Sequence, residues 1–127
     1  MQNTDYAAFA SIYEKGGSQI MWRRIVADLE TPIGTYLKLA AGRKNTFLLE
    51  SVHGGATRGR YSMIGLEPDL MFRIRNGKAA VNRNPKFAPD AFDEMNGAPL
   101  DALREILAES ALELPIDLPP MSAGIFG

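Results

Sequence analysis

The sequence predicts an α+β fold, an antiparallel β-sheet meander with a few flanking helices. Its first fifty residues follow the order helix, strand, helix, strand. This alternation does not continue along the chain, as it would in a fold built from repeated β/α units. From residue 61 several strand-like runs follow one another with short turns between them, and an amphipathic helix comes after them. Consecutive strands joined by short turns pair antiparallel.

The first helix is predicted over residues 5–14, where apolar and aromatic side chains recur at the spacing of one helical face. Thr4 or Asn3 can cap its start with a side-chain oxygen. Gly16-Gly17 is predicted to end it, because glycine readily adopts the left-handed conformation that closes a helix.

Two further helices are predicted to begin at prolines. In the first of them Thr31 is the cap and Pro32 takes the first helical position, where a missing N–H costs nothing. That helix is predicted to stop at Gly42. The other covers residues 99–110, and the residues predicted to face inward are Leu100, Leu103, Ile106 and Leu107.

Strand-like composition marks four stretches, 19–28, 45–51, 61–68 and 70–83. The stretch 45–51, "NTFLLES", becomes apolar and stays so, which predicts burial on both faces. In the last stretch Asn76-Gly77 predicts a hairpin with a type I′ turn. Residues 84–98, punctuated by Pro and Asn, are predicted to be a loop.

Composition excludes several classes of protein. The chain has 127 residues, is 46% hydrophobic, and sets 14 basic against 15 acidic side chains, so a sequence-independent nucleic-acid binder is not expected. Its apolar runs are shorter than the roughly 20 residues of a membrane span. Its first residues lack the pattern of a secretory signal. The chain contains no cysteine, which together with these features predicts a soluble cytoplasmic protein.

Catalytic motifs are not visible in the sequence. His53 is the only histidine, so a histidine-based triad or metal cluster would depend on this one ring. There is no nucleophile elbow, phosphate loop or dinucleotide fingerprint. The acidic residues are scattered rather than clustered as a carboxylate metal site requires. The residues therefore predict that this chain catalyses nothing by itself.

The stretch "LLESVHGGATRGRYSMIG", residues 48–65, is the best candidate for a ligand site. A carboxylate where a strand meets a loop, at Glu50, can pair with an ammonium group, and the hydroxyl of Ser51 can help to hold a carboxylate. Arg60 can hold an anion with its guanidinium fork. The alternative is structural: Ser51 begins a turn, Glu50 pairs with Arg58 or Arg60, and nothing binds.

Two other features allow a structural and a functional interpretation. Trp22, the only tryptophan, can be a core residue or a stacking platform for a ligand. A basic strip is predicted on one face of the hairpin, where it is either a solvated face or a docking surface. Its members are Arg73, Arg75, Lys78 and Arg83.

Three segments carry a family resemblance: "TPIGTYLKLA", "FLLESVHGG" and "GRYSMIGLEP", in this order and at this spacing. Together they resemble the amino-terminal region of anthranilate synthase component I, a chorismate-utilising enzyme. The closing "LPPMSAGIFG" is similar to the segment that leads into that family's catalytic domain. It is apolar and strand-like, so residues 1–127 are expected to be part of a longer chain. The resemblance implies that they are its amino-terminal, regulatory domain, part of a larger two-domain sandwich without its catalytic domain.

The resemblance implies a regulatory site for L-tryptophan as feedback inhibitor. The serine of the "LLES" box, here Ser51, is the expected contact, with Glu50 and Leu49 beside it. Where the family has a lysine in the following segment, this sequence has Arg60 and Tyr61 instead, and Arg60 is included among the candidate site residues. Chorismate and Mg²⁺ would bind in the catalytic domain. Neither a cofactor nor a catalytic residue is expected in this part of the chain.

The resemblance also implies the activity and partner of the whole enzyme. It would be a lyase of tryptophan biosynthesis that converts chorismate to anthranilate and pyruvate, using ammonia from a glutamine amidotransferase subunit, component II. The same boxes occur in aminodeoxychorismate synthase component I, of the folate pathway, which is therefore an alternative. A free-standing small-molecule sensor is the alternative from another class.

Overall fold

The structure is a computed structural model that describes residues 5–50, 61–119 and 121–127. The chain divides into two compact units, Met1–Val26 with Gly97–Gly127, and Ala27–Asn96. The described elements, in chain order, are α1 (Tyr6–Glu14), α2 (Pro32–Ala40), β1 (Phe47–Glu50), β2 (Ser62–Gly65), β3 (Met71–Arg75), β4 (Lys78–Asn82), β5 (Asp93–Glu94) and α3 (Pro99–Glu109). Helices and antiparallel sheets are thus both present, and the α+β prediction is confirmed.

Helix α2, in the unit Ala27–Asn96, begins where the sequence predicts. The Thr31 hydroxyl accepts a hydrogen bond from the Gly34 N–H at 3.0 Å, and Pro32 occupies the start of the helix. Gly42 lies just beyond its end with a φ of +71°, a conformation that glycine adopts without strain. The cap and the proline determine where the helix begins, because they stabilise its first turn.

Strands β1 and β2 of the same unit form a two-stranded antiparallel sheet. The paired residues are Phe47 with Gly65, Leu48 with Ile64, Leu49 with Met63, and Glu50 with Ser62. The predicted burial of β1 on both faces is wrong, since Leu49 is 47% exposed and Glu50 is exposed as well. A run of apolar residues indicates a strand, but burial on both faces also needs layers that cover the sheet.

A second sheet in this unit has the order β3-β4-β5. The predicted hairpin is confirmed, because Asn76 (φ 51°) and Gly77 (φ 75°) both adopt the positive φ of a type I′ turn. Strand β5, in the predicted loop, was not anticipated, since Asp93 and Glu94 are poor strand formers. Its pairing with β4 and a bond from the Met95 N–H to the Ala79 carbonyl, 2.8 Å, hold it in place.

Burial in this sheet is concentrated on β4. Ala79 and Val81, two residues apart and therefore on one face, are buried, as is the polar Asn82. The Asn82 side chain donates to the Ala88 carbonyl at 2.7 Å and accepts from the Asn84 N–H at 2.8 Å. Hydrogen bonds at both ends of the buried amide offset the cost of removing it from water, and they connect β4 to the loop that follows.

In the other unit, helix α1 is capped by Asp5, whose carboxylate accepts from the Ala7 N–H at 3.1 Å. The predicted caps, Thr4 or Asn3, are therefore wrong by one or two residues. Aspartate caps as well as those residue types do, and the extended backbone at Asp5 places it at the start of the first turn. The predicted end is confirmed, with Gly16 at a φ of +70°.

The predicted strand over residues 19–28 is wrong. The structure places a single bridge residue there, Arg23, and no strand. Met21, Ile25 and Val26 are exposed, although their residue types favour strands. Strand propensity depends on cross-strand packing and burial, and these side chains obtain little of either.

Helix α3 is confirmed, but the face predicted to be inward is wrong in part. Ala102 and Ile106, one turn apart, are fully buried, and Leu103 beside them is half-buried. Leu100 is 61% exposed and Leu107 is exposed too. At ~100° per residue, Leu100 and Leu107 lie ~140° and ~120° around the helix from the midpoint between Ala102 and Ile106. Ala102 was not recognised as part of the buried face, because alanine is a weaker hydrophobic signal in a sequence than leucine or isoleucine.

Among the described residues no helix is both long and apolar enough to cross a membrane. The expectation that residues 1–127 form one regulatory domain within a larger two-domain sandwich stays a prediction.

Candidate functional site

The sequence-predicted site begins at the end of strand β1. Leu49 and Glu50 are its last two residues, and they lie opposite Met63 and Ser62 on β2. Ser51 and Arg60, the other two candidates, fall outside the described residues, as do His53 and Arg58. The described half of the site is therefore the two-residue end of a strand, with both side chains open to solvent.

Leu49 and Glu50 point to opposite faces of the sheet, because side chains alternate along a strand. Leu49 shares its face with Phe47 and Met63, whereas Glu50 shares the other face with Leu48, Ile64 and Ser62. A small ligand lying on one face can reach only one of the two side chains. A ligand that contacts both has to lie across the end of the strand.

The opposite end of this hairpin is closed by Phe47 and Gly65. These two residues face each other across the strands, and the Phe47 ring lies over the glycine. A Cβ atom added at Gly65 would overlap ring atoms Cε1 and Cζ and would lie 2.7 Å from Cδ1. Any side chain at position 65 would therefore force the Phe47 ring to move from this position.

Residues next to strands β1 and β2 form ion pairs and a hydrogen bond with other parts of the same unit. Glu67, just after β2 and at a φ of +48°, accepts from Arg43 at 2.8 Å and from Lys86 at 3.3 Å. The Tyr36 and Thr46 hydroxyls lie 3.0 Å apart and connect α2 to the residue before β1. The ion pairs are solvent-exposed, so each contributes at most about 1 kcal/mol.

The basic strip on β3 and β4 has local partners within the sheet. The Arg73 guanidinium lies 3.7 Å from the centre of the Phe92 ring, and Lys78 pairs with Glu94 at 2.6 Å. Arg73 is half-buried as a result, while Ile74, next to it on β3, is exposed. These contacts give Arg73 and Lys78 a structural role in holding β5 and the residue before it.

The unit formed by Met1–Val26 and Gly97–Gly127 contains a cavity of about 570 Å³ that the sequence did not predict. Its apolar lining includes Phe9, Ile12, Ile20, Trp22, Leu112 and Pro115, and Asp5 and Glu113 also border it. Trp22 is half-buried, so it is neither a fully buried core residue nor a free platform. The sequence showed the apolar face of α1, but it could not show that residues about a hundred positions later, such as Leu112 and Pro115, line the same cavity.

The described residues do not fit a metal ion. Among residues 5–50, 61–119 and 121–127, no three acidic or histidine side chains come close enough together to hold one. Mg²⁺ requires several oxygen ligands in near-octahedral geometry, and the strand end offers one carboxylate. That the whole enzyme binds Mg²⁺ in its catalytic domain stays a prediction.

The curated proteins to which this chain is similar, three of which follow, share one name. The chain is 45% identical over 124 residues to anthranilate synthase component 1 of Cereibacter sphaeroides, a match that covers 98% of this chain and 25% of the relative. The proteins of the same name from Mycolicibacterium smegmatis and Synechocystis are 42% and 33% identical, over 83% and 100% of this chain and 19% and 24% of their own lengths. No protein-family model matches, and no solved structure matches.

The chain spans about a quarter of the length of these relatives, or less. The match to the Cereibacter sphaeroides protein covers 98% of this chain and therefore includes nearly all of its helices and strands. By sequence, the chain belongs to the anthranilate synthase component 1 family and corresponds to an amino-terminal region of its members.

Proposed function

We propose that this chain is the amino-terminal, regulatory part of an anthranilate synthase component 1. The complete enzyme would be a cytoplasmic, Mg²⁺-dependent lyase that converts chorismate to anthranilate and pyruvate. Ammonia would come from glutamine through an amidotransferase subunit. Identity of up to 45% to a protein with that name supports the proposal.

Within that enzyme, the end of β1 would form part of a feedback site for L-tryptophan. The observation that carries this proposal is the exposure of Leu49 and Glu50 at the strand end, directly before Ser51 in the chain. An exposed carboxylate suits an ammonium group, and an exposed leucine suits an indole ring. Since the two side chains face opposite ways, tryptophan would lie across the strand end.

Inhibition would follow from a shift in population between two arrangements of the enzyme. An inhibitor changes such an equilibrium only by binding one state more tightly than the other. Tryptophan would bind more tightly to an inactive arrangement, with Glu50 on its ammonium group and Ser51 with local backbone on its carboxylate. The rest of the pocket would be supplied by other parts of the longer protein.

The test is a product assay on the longer protein that contains this chain. With chorismate, Mg²⁺ and either ammonium or the amidotransferase and glutamine, anthranilate should form and L-tryptophan should inhibit. Formation of aminodeoxychorismate in its place would assign the chain to the folate enzyme. If neither product forms, and the 127-residue chain alone binds a small molecule, the sensor alternative holds.

The site itself is tested by two substitutions in that assay. Ser51→Phe and Glu50→Gln should each raise the tryptophan concentration for half-inhibition about tenfold, within the usual range of allosteric coupling, while uninhibited turnover stays nearly unchanged. Lys44→Gln, at an exposed residue before β1, is the matched control and should have no effect. Unaltered inhibition in Ser51→Phe would remove the site from this strand end.

A further inference from the structure

Within the residues that the structure describes, the ladder of β1 and β2 has few features that fix its register. Its ladder contains four residue pairs, and the apolar side chains Leu48, Leu49, Met63 and Ile64 could pair in more than one alignment. A slip of one residue would move Glu50 to the other face, and a slip of two would change its cross-strand partner. Short ladders of similar apolar residues specify register weakly, so a further contact is needed.

The Phe47–Gly65 pair supplies that contact. The ring fits over Gly65 because that residue has no Cβ, and any other residue of β2 at this position would displace the ring. In the observed alignment the bulkiest side chain of β1 meets the one residue of β2 that leaves room for it. An aromatic ring over a glycine also covers backbone that the glycine would leave open to water.

We infer that Phe47 and Gly65 are positioning residues that set the register of β1 and thereby the place of Glu50 at the tryptophan site. This inference rests on the proposed function for its regulatory consequence, but its structural part does not. Neither residue needs to touch the ligand. They act at the other end of the hairpin, through the alignment of the strands.

The register is tested directly by disulfide trapping in the 127-residue chain, which contains no cysteine. Leu49→Cys with Met63→Cys reports the observed pairing, and Leu49→Cys with Tyr61→Cys reports a slip of two residues. Directly opposed residues are within disulfide reach, whereas diagonal neighbours ~7–8 Å apart are not. The first pair should cross-link at least about tenfold faster than the second, a preference that reflects one dominant alignment.

Substitution of the positioning pair should remove that preference. Gly65→Ala and Phe47→Ala should each bring the two cross-linking rates to within a few-fold of each other. The reciprocal exchange, Phe47→Gly with Gly65→Phe, restores a ring over a glycine on the same face and should recover the preference. If the exchange cross-links no more selectively than Gly65→Ala, or if Gly65→Ala keeps the original selectivity, the inference is wrong.

The regulatory consequence is measured in the longer protein. Gly65→Ala should raise the tryptophan concentration for half-inhibition about tenfold with little change in uninhibited turnover, and the reciprocal exchange should return it toward the original value. If the original protein is not inhibited by tryptophan, the proposed function fails while the trapping result still decides the register. If inhibition is present and Gly65→Ala leaves it unchanged, the positioning role fails alone.

Discussion

At the scale of single residues, glycine has two distinct roles in this chain. Gly65 leaves the space that the Phe47 ring occupies, and a side chain there would displace the ring. Gly77 has open space around it, with nothing within 4 Å of an added Cβ, but its φ is +75°. The first is a packing requirement and the second a backbone requirement, and they should respond differently to substitution by alanine.

Gly77→Ala isolates the backbone requirement. Because no atom would contact the new methyl group, the loss of stability should come from holding an L-residue at positive φ, about 1–2 kcal/mol. Urea denaturation should show a lower midpoint with an unchanged slope. Asn76→Gly, the neighbouring turn position at φ 51°, is the control and should alter stability by only a few tenths of a kcal/mol. An unchanged midpoint for Gly77→Ala would show that the turn relaxes to another type.

At the scale of elements, the loop after β4 depends on the buried Asn82. Its side chain bonds the Ala88 carbonyl and the Asn84 N–H, so Asn82→Ala should remove both bonds and open a small cavity. The expected loss of stability is about 1–3 kcal/mol. Exchange of the Asn84 amide proton, measured by NMR, should also become faster. Asn84→Ala keeps that N–H and is the matched control. Equal losses in both variants would contradict the role assigned to Asn82.

Elements defined by local chemistry were predictable from the sequence. The hairpin at Asn76-Gly77 and the start of α2 at Thr31 and Pro32 depend on neighbouring residues only, and both are confirmed. Strand β5 depends on pairing with β4, and the missing strand at 19–28 depends on the lack of such packing. The strand propensity of single residues could predict neither the presence of β5 nor the absence of a strand at 19–28, because both depend on packing between distant parts of the chain.

The candidate site was predictable to a similar extent. The sequence located Leu49 and Glu50 at the end of a strand, and the structure places them there. Once a strand is predicted, the alternation of side chains already implies that these two face opposite ways. The sequence could not show which residues of β2 lie opposite them, or that Phe47 lies over Gly65, because both follow from register, which is a property of two strands together.

At the scale of the whole molecule, exposed apolar side chains are a prominent feature. On α2, Ile33 is 55% exposed and Leu37, one turn later, is 65% exposed, so they form an apolar strip on one side of the helix. Leu49 and Ile74 are exposed in the same unit. Contiguous exposed apolar groups on a soluble domain promote association with another apolar surface.

The 127-residue chain should therefore self-associate as its concentration rises, and the strip on α2 should contribute. Sedimentation velocity over a range of concentrations would measure this as an increase in average mass. Ile33→Glu and Leu37→Glu should each shift the association to higher concentration, because a charge at the contact has to be desolvated. Leu29→Glu adds the same charge at a residue outside the helix that is 98% exposed, and should shift it much less. If Leu29→Glu has an equal effect, net charge rather than the strip governs association. If the chain stays monomeric throughout, its exposed apolar residues are too dispersed to support a contact between copies.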